Sequence, residues 1–254
     1  MDSKINIKIV IKTLILFPLF MIFIMFPLCV LIVLTAFIPK GRILATKLYE
    51  FFGWIGIVLV GIKLNVVGLE KIDTEKSYVV IGNHPSTLDI FTHITALPVS
   101  IRFLTKTELF RIPIFGRVLK TLGLPRIDRK NAKANFEKIN ESINQVVEQG
   151  NSIMIFPEGK RSNQKELLPF KKGAAYIAKD FNLPIVPVVS HNAHRLMTKG
   201  KVWLKSGEIK IEILDPIYNV NDFSVDELTS KLESLIKYKF CLLYTSDAAD
   251  DIPR

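Results

Sequence analysis

The sequence predicts an α/β domain set behind N-terminal membrane helices. Three observations predict it. A long apolar run without a charge lies near the N-terminus. Beyond Gly68, short apolar segments of strand length alternate with segments of helical period. Two of the strand-like segments, "YVVI" (Tyr78–Ile81) and "SIMIF" (Ser152–Phe156), run straight into polar turns that carry titratable side chains.

The N-terminal run, Thr13 to Ile38, is "TLILFPLFMIFIMFPLCVLIVLTAFI". Its roughly 26 residues, at about 1.5 Å each, suffice to cross a hydrocarbon core of about 30 Å. It is too long for a signal peptide, and no small-residue cleavage site follows. Lys4, Lys8 and Lys12 precede it and Lys40 and Arg42 follow, so the flanking charge sets no orientation. Pro18 and Pro27 predict kinks. A second run, Phe51 to Ile62, is too short to span by itself. The pair reads as one spanning and one interfacial helix, or as two helices sunk in one leaflet. Residues 1–63 are assigned to this membrane region, 64–240 to the α/β domain and 241–254 to a tail foreign to both.

In the domain, strands are expected over Lys63–Val67, Tyr78–Ile81, Arg102–Thr105, Pro125–Asp128, Ser152–Phe156 and Ile185–Val189, with a hairpin of Lys201–Lys205 and Glu208–Leu214. Helices are expected over Ser86–Leu97, Ile112–Leu122, Ala132–Gln149, Gly173–Phe181 and Val225–Phe240. The tail, "CLLYTSDAADDIPR", lacks the amphipathic period of the helix before it. Back-translated, Cys241–Asp250 resembles a sequencing adapter, and the native C-terminus is expected to be missing.

Formal net charge is +10 over 254 residues, and mean hydropathy is +0.29. Such a balance favours anionic partners, whether nucleic acid, lipid headgroups or a phosphorylated substrate. No nucleic-acid-binding pattern is present, and the apolar run favours lipid. The two cysteines, Cys29 and Cys241, make neither a zinc site nor a disulfide framework. His191 and His194 have a metal-compatible spacing but no evident third ligand, and no metal is expected.

The chemistry is expected in "NHPSTLD", Asn83 to Asp89. Five residues on a helix turn one side chain about 140° away from the other, so His84 and Asp89 cannot meet if both lie mid-helix. Pro85, read as the first helical residue, puts His84 outside the helix, where it can fold back over the first turn. A carboxylate on one ring nitrogen fixes the tautomer and leaves the other as a base. No G-x-S-x-G elbow occurs, so the nucleophile is expected to be the substrate's own hydroxyl. The sequence does not single out an oxyanion donor; backbone N–H groups at the helix start near Ser86 are candidates. The turn "PEGKR", Pro157 to Arg161, and the tip "PRIDR", Pro125 to Arg129, end two further strands. Ligands of open α/β sheets bind at such strand ends. Arg161 there offers a fork for phosphate or carboxylate.

Four ordered blocks, "NHPSTLD", "GLPRIDR", "FPEGKRS" and "LPIVPVV", resemble those of the glycerolipid acyltransferases, most nearly the bacterial 1-acyl-glycerol-3-phosphate (lysophosphatidic acid) acyltransferases. "TKTELFRIPIFG" is similar to the segment between the first two blocks. The resemblance runs from about Leu64 to Leu214. It implies a single mixed sheet flanked by helices, and acyl transfer from acyl-CoA or acyl carrier protein to a lysophospholipid hydroxyl. The thioester is a co-substrate and no cofactor is implied. By the resemblance, His84 is the base, Asp89 its orienter, Lys106, Arg129 and Arg161 the phosphate ligands, and Glu158 and Gly159 belong to the acceptor pocket. It also implies the inner (cytoplasmic) membrane, with the active site facing the cytoplasm where thioester donors are. Lys160 replaces a usual threonine and Arg126 a usual apolar residue, which leaves another lysolipid acceptor open. A membrane-anchored lipid binder without catalysis is the alternative class.

Overall fold

A computed structural model describes residues 6–128, 136–162, 167–198, 200 and 202–250. Two apolar helices lead, α1 (Ile7–Phe37) and α2 (Gly41–Val60), each long and apolar enough to cross a membrane. Pro18 and Pro27 do not break α1. Wide π-helical turns at Lys12–Leu16 and Met21–Met25 precede them and absorb the missing N–H groups. The second run is longer than its apolar half suggests, because Gly41–Leu48 extends the helix with a mixed face. Leu14, Phe23, Phe26 and Leu31 of α1 and Trp54 of α2 are exposed, as suits a bilayer rather than water.

Among the described residues eight strands follow: β1 (Ile62–Val67), β2 (Val79–Gly82), β3 (Ile101–Phe103), β4 (Thr105–Lys106), β5 (Arg126–Ile127), β6 (Ser152–Ile155), β7 (Ile185–His191) and β8 (Gly207–Ile213). The helices of the domain are α3 (Asp89–Ala96), α4 (Phe115–Thr121), α5 (Phe136–Glu148), α6 (Gly173–Asp180), α7 (Ala193–Leu196) and α8 (Val225–Asp250). Six strands form a mixed sheet in the order β1-β8-β7-β2-β6-β3, and β4 pairs with β5 apart from it. β3, β6, β2 and β7 run parallel, while β8 is antiparallel to β7 and parallel to β1.

Helices cover both faces, which is why the central strands read as unbroken apolar runs. On one face Val80, Val186 and Val188 pack with Ile94 and with Tyr49 and Ile57 of α2. On the other, Val79, Ile81, Ile153 and Ile185 meet Ile143, Ala178, Leu232 and Ile236. In α5, Ile139, Ile143 and Val146 make the buried stripe, and the chain leaves through Gly150 at φ 70°. α8 opens on a reciprocal cap, with Ser224 N–H to Glu227 and Glu227 N–H to Ser224 Oγ.

α2 sits directly on α3. A Cβ at Gly53 would lie 2.5 Å from Ile94 and one at Gly56 2.2 Å from Phe91, so only glycine admits this approach. Arg102 of β3 ties the same helix to the sheet: its buried guanidinium donates to Thr46 Oγ1 at 2.7 Å and to Leu122 O at 2.8 Å. Lys12 of α1 donates to Val60 O at 2.9 Å and also meets Ser206 Oγ.

Three expectations need correction. Residues 202–206 form no hairpin strand. Leu204 N–H goes to Thr13 Oγ1 and Lys205 N–H to Leu196 O, and both edges of β8 are taken by β1 and β7. α3 begins at Asp89 rather than Ser86, so Pro85 lies in a turn before the helix. The last helix continues past Phe240 to Asp250.

Candidate functional site

β2 and β6 are parallel neighbours, and their C-terminal ends deliver the two polar turns to one place. His84 follows β2, and its Nδ1 lies 2.9 Å from Asp89 Oδ2 at the start of α3. Asp89 is fully buried, so its charge depends on local donors. Ser86 N–H donates to Oδ2 at 2.8 Å and Ser190 Oγ to Oδ1 at 3.3 Å. With Nδ1 facing the carboxylate, Nε2 is the nitrogen available to the cavity that His84 lines. The ring stacks on Phe156, 4.0 Å between centroids and 8° from parallel.

The backbone of this turn is clamped from both sides. Glu158 Oε1 accepts His84 N–H at 2.8 Å and Oε2 accepts Leu168 N–H at 3.0 Å. Ser162 N–H donates to His84 O at 3.0 Å. Asn83 and Ser190 exchange two bonds across to β7, Nδ2 to Ser190 O at 2.9 Å and Ser190 N–H to Oδ1 at 2.7 Å. Burial raises the Glu158 carboxyl above its ordinary pKa, against the pull of its two N–H donors. Glu158 therefore fixes the turn. Of the candidate oxyanion donors near Ser86, the N–H groups of His84, Ser86 and Leu88 are all engaged within the protein.

Lys106, Gly159 and Arg161 line one cavity of about 760 Å³. Its interior is apolar, with Leu28, Ile32, Phe52, Phe103, Val118 and Leu122 among its walls. Lys106, Lys160, Arg161 and Lys171 line it as well. Arg161 Nη1 donates to Thr87 Oγ1 at 2.6 Å, which ties the fork to the turn of the histidine. Gly159, at φ 72°, turns the chain, and a Cβ there would meet the end of Lys171 at 3.2 Å. Arg129 lies outside the described residues.

Sequence reasoning missed Asn83, Phe156, Lys171 and Ser190. The first two stand at the head of motifs already singled out, "NHPSTLD" and "FPEGKRS", where sequence alone assigns them no role. Ser190 closes a strand distant in sequence, and only the β2–β7 pairing reveals its reach. His191 and His194 do not converge on a ligand set: His191 Nε2 faces Glu212 at 3.5 Å. Among the described residues, no group of three or more His, Cys, Asp or Glu is placed to hold a metal ion.

An acyltransferase family model matches residues 63–191. A 1-acyl-sn-glycerol-3-phosphate acyltransferase of Limnanthes alba is 34% identical over 191 residues, covering 75% of this chain and 67% of that protein. One of Saccharomyces cerevisiae is 34% identical over 166 residues, covering 65% and 54%. The crystal structure of the 1-acyl-sn-glycerophosphate (LPA) acyltransferase PlsC from Thermotoga maritima superposes with a TM-score of 0.75 at 24% identity, covering 94% of this chain and 96% of that one. This last likeness bears on the fold.

Proposed function

The chain belongs to the acyltransferase family, and we propose that it transfers an acyl group from acyl-CoA or acyl carrier protein to the free hydroxyl of lysophosphatidic acid, giving phosphatidic acid. The observation that carries this reading is the His84–Asp89 pair on an apolar cavity that is also lined by four cationic side chains. The cationic groups suit a phosphate, and the apolar interior suits an acyl chain.

In the proposed reaction, His84 Nε2 takes the proton of the acceptor hydroxyl as its oxygen attacks the thioester carbonyl. The C–S bond of the tetrahedral intermediate then breaks, and the imidazolium returns the proton to the leaving thiolate. Asp89 holds the ring in the tautomer with hydrogen on Nδ1 and offsets the charge it gains. Lys106, Lys160, Arg161 and Lys171 would hold the phosphate, with Arg161 positioned through Thr87. α1 and α2, each long and apolar enough to cross a membrane, support a cavity at the bilayer, where an amphiphilic acceptor resides. We assign the active site to the cytoplasmic side of the inner membrane, where thioester donors are made.

The test is an acyl-transfer assay on the purified full chain in vesicles. It uses radiolabelled acyl-CoA or acyl carrier protein and a panel of lysolipids. Lysophosphatidic acid should be the preferred acceptor. Equal or better use of lysophosphatidylcholine or an aminoacyl lysolipid would reject the acceptor. Absence of transfer to all of them would reject catalysis.

A further inference from the structure

We infer that residues 109–115 form a third bilayer-inserting element, a lip of the cavity that enters the lipid surface beside α1. Leu109, Ile112, Ile114 and Phe115 are 37%, 46%, 37% and 37% exposed. Four large apolar side chains in seven residues is a patch that water does not favour. The backbone presents them deliberately. Thr107–Arg111 is a helical turn, and Pro113 and Phe115 then close a three-residue turn through a 2.6 Å bond, with Ile114 at φ 61° and ψ −59°. A β-branched residue rarely adopts that conformation, and such sites cluster where function demands them.

The occupant follows from position and charge. Leu109 and Phe115 line the same cavity as Leu28, Cys29 and Ile32 of α1. Val118 and Leu119 of α4, just beyond, share one core cluster with Leu28 and Ile32. The patch therefore adjoins α1, whose Leu31 and Leu34 are exposed in the same segment. Within residues 106–120, which carry the patch, Lys106, Arg111, Arg117 and Lys120 are exposed, against a single carboxylate, Glu108. Apolar side chains interspersed with long cations suit the boundary between acyl chains and anionic headgroups, with the cations kept at headgroup level. The inference rests on the membrane association in the proposed reading and adds the route by which a lipid acceptor reaches His84, between α1 and this lip.

The experiment uses the full chain with Trp54 and Trp203 replaced by phenylalanine and a reporter introduced by Ile112→Trp. Vesicles contain phosphatidylglycerol with either ordinary or brominated acyl chains. Insertion predicts blue-shifted emission and about twofold quenching by the brominated lipid. The same reporter placed by Lys138→Trp on α5 should stay unquenched. A second variant, Ile112→Glu with Ile114→Glu, should raise KM for bilayer-embedded acceptor about tenfold and leave that for a short-chain, monomerically dissolved acceptor unchanged. Unquenched emission from a protein that still floats with the vesicles would overturn the inference. So would blue-shifted but unquenched emission in a dimer, which would mean that a second copy covers the patch. Quenching in a protein that acylates no lysolipid would reject the proposed reaction and leave this inference standing.

Discussion

Glu158 accepts the backbone N–H of His84 at 2.8 Å. A carboxylate expected to shape the acceptor pocket thus holds the proposed base in place, and its other oxygen ties down Leu168. Glu158→Ala should leave two N–H groups unpaired, at about 1–3 kcal/mol each where buried. The variant should lose thermal stability and kcat together, with a smaller change in KM for the acceptor. A large rise in acceptor KM at unchanged Tm would return Glu158 to the pocket.

His84→Ala should abolish acyl transfer while leaving folding and vesicle binding intact. Asp89→Asn should lower kcat by roughly 10³- to 10⁴-fold through loss of the tautomer. Circular dichroism and flotation separate these effects from misfolding. Near-normal turnover in the histidine variant would end the general-base mechanism.

Arg161→Ala should cost about 2 kcal/mol in kcat/KM with lysophosphatidic acid, roughly thirtyfold. Lysine should rescue it poorly, because a point charge cannot reproduce the fork. Thr87→Val removes the 2.6 Å contact that positions the guanidinium and should produce a milder loss of the same kind. The comparison to run is against an acceptor analogue without phosphate. Equal losses on both acceptors would move the phosphate contact to Lys106, Lys160 or Lys171.

The sequence makes the strand ends legible because buried parallel strands are apolar throughout and their polar turns stand out sharply. Val79–Gly82 with His84, and Ser152–Ile155 with Glu158, are found this way. What stays hidden is long-range pairing. Residues 202–206 and Gly207–Ile213 look like a hairpin because local pattern says nothing of β1, which claims the edge of β8 from far upstream. The turn Pro85–Leu88 looks helical because Asp89 takes Ser86 N–H in place of a backbone carbonyl, and no periodicity encodes that bond. Ser190 and Lys171 are ordinary residues until the fold brings them beside Asp89 and Gly159.

The seating of α2 on α3 can be broken at one atom. A Cβ at Gly56 would lie 2.2 Å from Phe91, on the helix that begins with Asp89. Gly56→Val should destabilise by about 1–3 kcal/mol through overpacking. It should lower activity on bilayer acceptor more than Gly56→Ala does. Limited proteolysis within Gly41–Val60 would report the detached helix. Wild-type protection in the valine variant would show that Phe91 simply moves aside.

Stability should also depend on pH through His93. The residue is fully buried one turn beyond Asp89, donates Nδ1–H to Asp89 O at 2.7 Å, and packs edge-on against Phe156. Its Nε2 has no hydrogen-bond partner among the described residues, and burial holds its pKa below the ordinary 6.5. Between the lowered folded value and 6.5 the unfolded chain binds more protons than the folded one. Stability should therefore rise with pH across that window, level off above about 6.5, and be lost as the solution is acidified. His194, also lowered by burial, adds in the same sense. Glu158 opposes it: with its carboxyl raised above 4.5, its contribution is present in acid and declines as pH rises through the raised value. The difference between wild type and His93→Gln isolates the histidine, because glutamine keeps an N–H donor and does not titrate. Calorimetry from pH 5 to pH 8 should show a shallower acid loss in the variant, with the two curves parallel above about pH 7. An identical acid slope in both proteins would mean that His93 does not titrate between the folded and unfolded states.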